Sequence, residues 1–318
     1  MAVDMAHHRL FVAELGNDSI GVVDLDAQKV AHRLSGLKEP QGIAYVQSND
    51  SLYVANGGDG SVRVFRGPEY VPAGRIDLSA DADNIRVDLP EDRLLVGYGS
   101  GGIGTIDLHT NNKIGSFPLK AHPEGFQLDA GTHQIFVNLP NNRAIAVLDA
   151  TSGLRRATWP LAHGGNFPMT LDAERQRVLI VFRSPPKFAA FSWQTGDVVS
   201  EIDTCGDADD LFLDAKRKLI YITCGTGFID VLKSGRFEVF TRHANRNRRW
   251  RQDRTSCPRH GSAVFGGARS SGRAGCHLDL PGSALSNRCN HAHEAGSGGS
   301  VFAHANGYSR YRLCISTV

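Results

Sequence analysis

Thirteen polar side chains fall in five short groups about 42 residues apart: Glu39 and Gln41; Asp81, Asp83, Asn84 and Arg86; His122, Glu124 and Gln127; Asn166; and Asp207, Asp209 and Asp210. Seven are carboxylates, four are amides, and the last two are an imidazole and a guanidinium. Gathered in one place, such a set would offer many oxygen donors and one nitrogen. That suits Ca²⁺, Mg²⁺ or Mn²⁺, or a polar small molecule, better than a thiolate-seeking metal. The competing reading is structural: Asp and Asn are favoured turn residues whose side chains bind nearby backbone. On the first reading the candidate ligand-binding residues are Glu39, Gln41, Asp83, Asn84, Arg86, His122, Glu124, Asn166, Asp209 and Asp210.

Other chemistry is poorly represented. No G-x-S-x-G elbow, H-E-x-x-H pair or G-x-x-x-x-G-K-[ST] loop occurs, and no residue is assigned a catalytic role. The glycine strings from Gly57 and Gly99 are flanked by strand-like runs, which argues against a dinucleotide loop. No C-x-x-C-H haem attachment is present. Cys205 and Cys224 are expected to be buried free thiols.

The spacing of the polar groups belongs to a larger repeat. The phrase apolar-x-apolar-Asp, a polar turn and a β-rich apolar run recurs at anchors Asp4, Val46, Asp88, Asp129, Asp172 and Asp214, with spacings of 42, 42, 41, 43 and 42. Each unit continues through a Gly/Asn/Asp turn into a second alternating strand, such as VRVFRG from Val62 or IAVLDA from Ile145. Four short strands in about 40–45 residues is the period of a β-propeller blade. The expected fold is therefore all-β: six recognisable four-stranded blades over residues 1–240, from an ancestral seven, with the candidate residues on the loops that enter the channel-lining strands.

The strings LYVANGGDGSVRVF and LFVAELGNDSIGVVDL resemble the YVTN-type β-propeller repeat, and the whole pattern is similar to YncE-like proteins. The resemblance implies a seven-bladed ring, usually on an exported protein, so an intact homologue is expected to be periplasmic or secreted. Propellers of this superfamily include binding proteins and lactonases.

Both ends depart from that pattern. The first repeat lacks the polar lead-in of the others and no signal peptide is visible, so upstream sequence is expected to be missing. Residues 241–318 read as a basic, low-order tail. From Arg242 onward there are 12 Arg, no Lys and three acids, a net +9, whereas the preceding residues carry −7. No strand alternation appears where the next anchor should fall, near residue 256. The stretch GSAVFGGA from Gly261 permits a reading displaced by one base, GRLFLAVP, which is a strand phrase of the repeat. The tail is accordingly expected to be a frameshift product that replaced a seventh blade. Its Cys257, Cys276, Cys289, His291 and His293 match no zinc spacing, and its arginines read as a solvated segment and not a nucleic-acid site. No apolar run approaches the roughly 20 residues of a membrane helix.

The expected function is non-catalytic binding or scaffolding, with a small molecule or protein at the channel mouth. No cofactor is expected; a divalent cation is the one such group those carboxylates would suit. The alternative is a metal-dependent, lactonase-like hydrolase using the same carboxylates.

Overall fold

The computed structural model describes residues 1–244, Ser100 and Arg236 excepted. The tail's cysteines, histidines and arginine run, and the displaced-frame segment, lie outside the described residues.

The described chain forms six four-stranded antiparallel sheets, each built from consecutive strands, arranged as the blades of a β-propeller. The channel-lining strands are Ala2–Asp4, Pro40–Val46, Ala82–Asp88, Phe126–Asp129, Gly164–Asp172 and Ala208–Asp214. The fourth strand of the sixth blade runs Glu238–Ala244, across the composition boundary at residue 240. Arg242 on that strand donates to the buried carboxylate of Asp230, with Nη2 2.7 Å from Oδ2.

The repeat phrases turn out to be strand and turn instructions. Alternation in the second strand of each blade sends successive side chains to opposite neighbours. In blade 2, Leu52 and Val54 pack toward blade 1, while Tyr53 and Ala55 pack toward blade 3. The anchor aspartate closes the turn into the second strand. Asp4 accepts from the Ala6 and His7 N–H groups, Asp129 from Thr132, Asp172 from Arg175 and Asp214 from Arg217. A second aspartate ends the third strand of several blades and does the same: Asp149 accepts from the N–H groups of Thr151 and Ser152 at 3.0 and 2.7 Å. Four residues after Asp149, a Cβ on Gly153 (φ +71°) would collide with the Phe117 ring of the preceding blade. Only glycine fits there.

The core is a series of wedges between blades. Five apolar clusters each draw residues from two adjacent sheets. Between blades 4 and 5, Phe136 stacks on Trp193 and tilts against Trp159, with centroids 5.6 Å apart in both pairs. Among the described residues, two smaller clusters draw on single sheets: Leu10, Val12 and Val23 in blade 1, and Ile229 and Val231 in blade 6.

The cysteine expectation is corrected here. Cys205 and Cys224 form a disulfide, with Cα atoms 5.9 Å apart. The antiparallel return explains the pairing: Cys224 ends the second strand of blade 6 opposite Ala208, and Cys205 precedes that residue on the way into the inner strand.

Candidate functional site at the channel mouth

The same backbone device enters most inner strands. Glu39, Asp81, Gly165 and Asp207 have left-handed φ values of +49°, +43°, +71° and +60°. Each is followed by a break in strand register, between Pro40 and Ile43, Ala82 and Ile85, Asn166 and Met169, and Ala208 and Asp210. A bulge of this kind re-aims side chains without ending the strand. It places Gln41, Asp83 and Asp209 at equivalent positions, with Glu124 as the counterpart in blade 4. The non-glycine left-handed residues cost conformational energy. Backbone bonds offset it at Glu39, whose N–H donates to Asp18 Oδ1 at 2.8 Å and whose carbonyl accepts from Gly57 at 2.9 Å.

Blades 3 and 4 bring three potential metal ligands together. One donor atom each from Asp83, His122 and Glu124 lies within 4.8 Å of the others. Ligand bonds of about 2.0–2.6 Å put the donors around one ion roughly 3–5 Å apart, so the spacing fits a single cation. His122 Nε2 stands 3.7 Å from Glu124 Oε1 and 3.8 Å from Asp81 Oδ2, which adds a fourth carboxylate-bearing or imidazole group to the rim. Asp83 is buried, and His122 and Glu124 are partly open to solvent. Asp83 comes from a buried strand position, and the partly exposed His122 and Glu124 lie in the segment that leads into the strand Phe126–Asp129. Gln41 and Asp81 converge beside this cluster over Gly57, where a Cβ would meet both.

The remaining candidates are dispersed. Arg86 lies deeper, on the inner strand of blade 3. It donates through Nε to Gln127 Oε1 at 3.1 Å and through Nη1 to the Ile85 carbonyl at 2.7 Å, and its guanidinium stands 5.3 Å from the Phe126 ring centroid. Desolvation pushes its pKa down, and the charges of Asp83 and Asp210 oppose that shift. Asp210, from blade 6, therefore acts on Arg86 from another part of the ring. Asn84 is half-buried beside Asp83. Glu39 is exposed, and its backbone makes the contacts described above. Asn166 is fully buried; its amide donates to Asn138 Oδ1 and the Ala144 carbonyl at 3.0 and 3.1 Å. Asp209 is drawn to Arg183, whose Nη2 is 2.6 Å from Oδ1. The Arg183 guanidinium also lies 4.2 Å from the Phe167 ring centroid.

Two of these partners were not singled out from sequence. Arg183 occupies the position at which blades 2, 3 and 6 have Gly57, Gly99 and Gly225, so its departure from a repeated glycine was the available signal. Asn138 had none, because its pairing with Asn166 is visible only in three dimensions.

No family model and no curated protein matches the chain. Solved structures do. Hydrazine synthase of Kuenenia stuttgartiensis aligns with a TM-score of 0.66 at 16% identity, covering 73% of this chain and 75% of that one. A functionally unknown protein from Desulfotomaculum acetoxidans DSM 771 aligns with a TM-score of 0.65 at 9% identity, covering 74% of this chain and 79% of that one. At these identities the likeness is one of fold, and the class it defines is the β-propeller.

Proposed function

We propose that this chain is a non-catalytic binding propeller of the YncE-like type that holds a divalent cation, and through it a polar ligand, at the channel mouth over blades 3 and 4. The observation that carries the proposal is the convergence of Asp83, His122 and Glu124, from two blades, on one small volume. Mixed oxygen and imidazole donors favour Mn²⁺ or Mg²⁺ over a thiophilic ion. Three protein donors leave coordination positions for a ligand, and that same feature supports the second reading, a metal-dependent lactonase-like hydrolase. The YncE-like assignment rests on the repeat phrases, and export of an intact homologue is supported by the buried Cys205–Cys224 disulfide, since such bonds persist in oxidising compartments.

The test is a set of thermal melts with Ca²⁺, Mg²⁺ or Mn²⁺. A cation at a hundred times its dissociation constant should stabilise the wild type by about 2.7 kcal/mol. Glu124→Gln should abolish the response. Asp209→Asn should not, because Asp209 faces Arg183 in another blade. A flat response to all three ions removes both metal readings. Mn²⁺-dependent lactone hydrolysis lost in Glu124→Gln would replace binding by catalysis as the function.

A further inference from the structure

The second strand of blade 6 turns Leu219, Tyr221 and Thr223 to one side of the sheet, and the register sets Phe212, Ile229 and Val231 on that same side. It is the side away from blade 5, whose junction with blade 6 draws on Ile220 and Ile222 instead. Blade 1 comes next around the ring. Among the described residues, none from blade 1 joins the apolar cluster on this side, and its own cluster of Leu10, Val12 and Val23 stays separate. Each of the five other junctions merges two sheets into one cluster.

Apolar side chains on an uncovered sheet face stay open to water, as Val198 and Val199 do on the outer strand of blade 5, at 56% and 47% exposure. Ile229 and Val231 are each only 3% exposed. Thr223, beside them, is fully buried, and its hydroxyl meets no hydrogen-bond partner among the described residues. A buried hydroxyl left in that state costs free energy, and native proteins nearly always supply a partner. This face of blade 6 therefore has the character of an interior. It calls for a cover that brings both apolar side chains and a polar group.

We propose that residues 308–318 of the same chain dock on this face of blade 6. Tyr311, Leu313, Ile315 and Thr317 alternate with Arg312, Cys314 and Ser316, which is the period of a strand with one apolar side. Laid along the sheet, Tyr311, Leu313 and Ile315 cover Ile229 and Val231, and Thr317 on the same side brings a hydroxyl to Thr223. The described chain ends at Ala244, on the fourth strand of this same blade. At about 3.3 Å per extended residue, residues 245–307 reach the face with length to spare. The tether gives the segment a local concentration that a separate partner lacks. The docking does not involve the cation cluster at the mouth, and it holds whatever the origin of the tail.

The experiment is photo-crosslinking in the full chain with Tyr221 replaced by p-benzoylphenylalanine, a position on the face that is only partly buried. Irradiation and tryptic mapping should join it, within one chain, to a peptide from residues 308–318. A crosslink to blade 1 would mean that the ring closes on itself, and one between chains would mean a second copy. Either of these, a crosslink to residues 245–307, or none at all would overturn the proposal. Thermal melts give a second readout. Leu313→Asp should lower Tm by several degrees and Arg312→Asp should not, since only Leu313 sits on the apolar side. Val231→Ala combined with Leu313→Ala should lower Tm by less than the sum of the two single changes, because both remove the same contact. Should Val231→Ala not fold, Phe212→Leu takes its place. Equal effects of Leu313→Asp and Arg312→Asp, or additive losses, would contradict the docking.

Discussion

Arg9 illustrates how single residues hold this ring. Its guanidinium donates to Asp4, to Asp50 and to the hydroxyls of Tyr45 and Tyr70, tying blade 1 to blade 2. Burial alone would raise the pKa of Asp4, but hydrogen bonds from Arg9 and His7 outweigh it and hold the carboxyl below its ordinary value of 3.8. A depressed folded-state pKa contributes stability that is present above the unfolded value and lost as pH falls through the folded one. Acid unfolding should thus begin only below about pH 3.8 for this group. Arg9→Met should strand the buried Asp4 charge, cost about 3–5 kcal/mol and move the acid limb to higher pH. Urea melts across pH check both; a variant as acid-resistant as the wild type would contradict the account. At this scale the sequence was partly legible. His122, Glu124 and Asp83 could be selected because repeat spacing brings their loops together, whereas the side-chain choices of Asp209 and Asn166 depended on Arg183 and Asn138, which no spacing marks.

The elements were the most readable level, because the repeat encodes turns as well as strands. An anchor such as Asp214 was legible as a recurring aspartate, and its reason is the Arg217 N–H it accepts. The inner-strand bulges were not legible: they depend on left-handed φ at residues such as Glu39 and Asp207, which carry no glycine signal. The disulfide was missed for a related reason. Cys205 and Cys224 are 19 residues apart, and their proximity follows from the register that pairs Ala208 with Cys224. Loss of that bond should be felt. Cys205→Ser is expected to lower stability by about 2–4 kcal/mol, the usual effect for a closed loop of this size. Alkylation before and after reduction, read by peptide mass spectrometry, should label Cys205 and Cys224 only after reduction; labelling of the native unreduced protein would contradict the pairing.

At the scale of the molecule, six blades and five two-sheet clusters make a ring whose first and last members each carry a one-sheet apolar cluster. On the proposal that the chain descends from a seven-bladed ring, the lost blade packed between those flanks. The frameshift origin of the tail is a proposal, and sequencing the gene and its relatives tests it: an intact frame preserving the same tail would refute it. Packing offers a second check. Ile180→Ala, between blades 4 and 5, should cost about 2–5 kcal/mol. Ile229→Ala, in blade 6, should cost less, because among the described residues only one sheet supplies its neighbours. Equal losses in denaturant melts would mean that this face is packed like an internal junction. The central claim, that the mouth binds a cation, has a direct measurement: crystals grown with Mn²⁺ and examined for anomalous scattering. The account predicts a peak about 2.0–2.6 Å from oxygen or nitrogen atoms of Asp83, His122 and Glu124. A mouth without a peak at saturating Mn²⁺, or carboxylates turned to backbone N–H groups in its place, would contradict it.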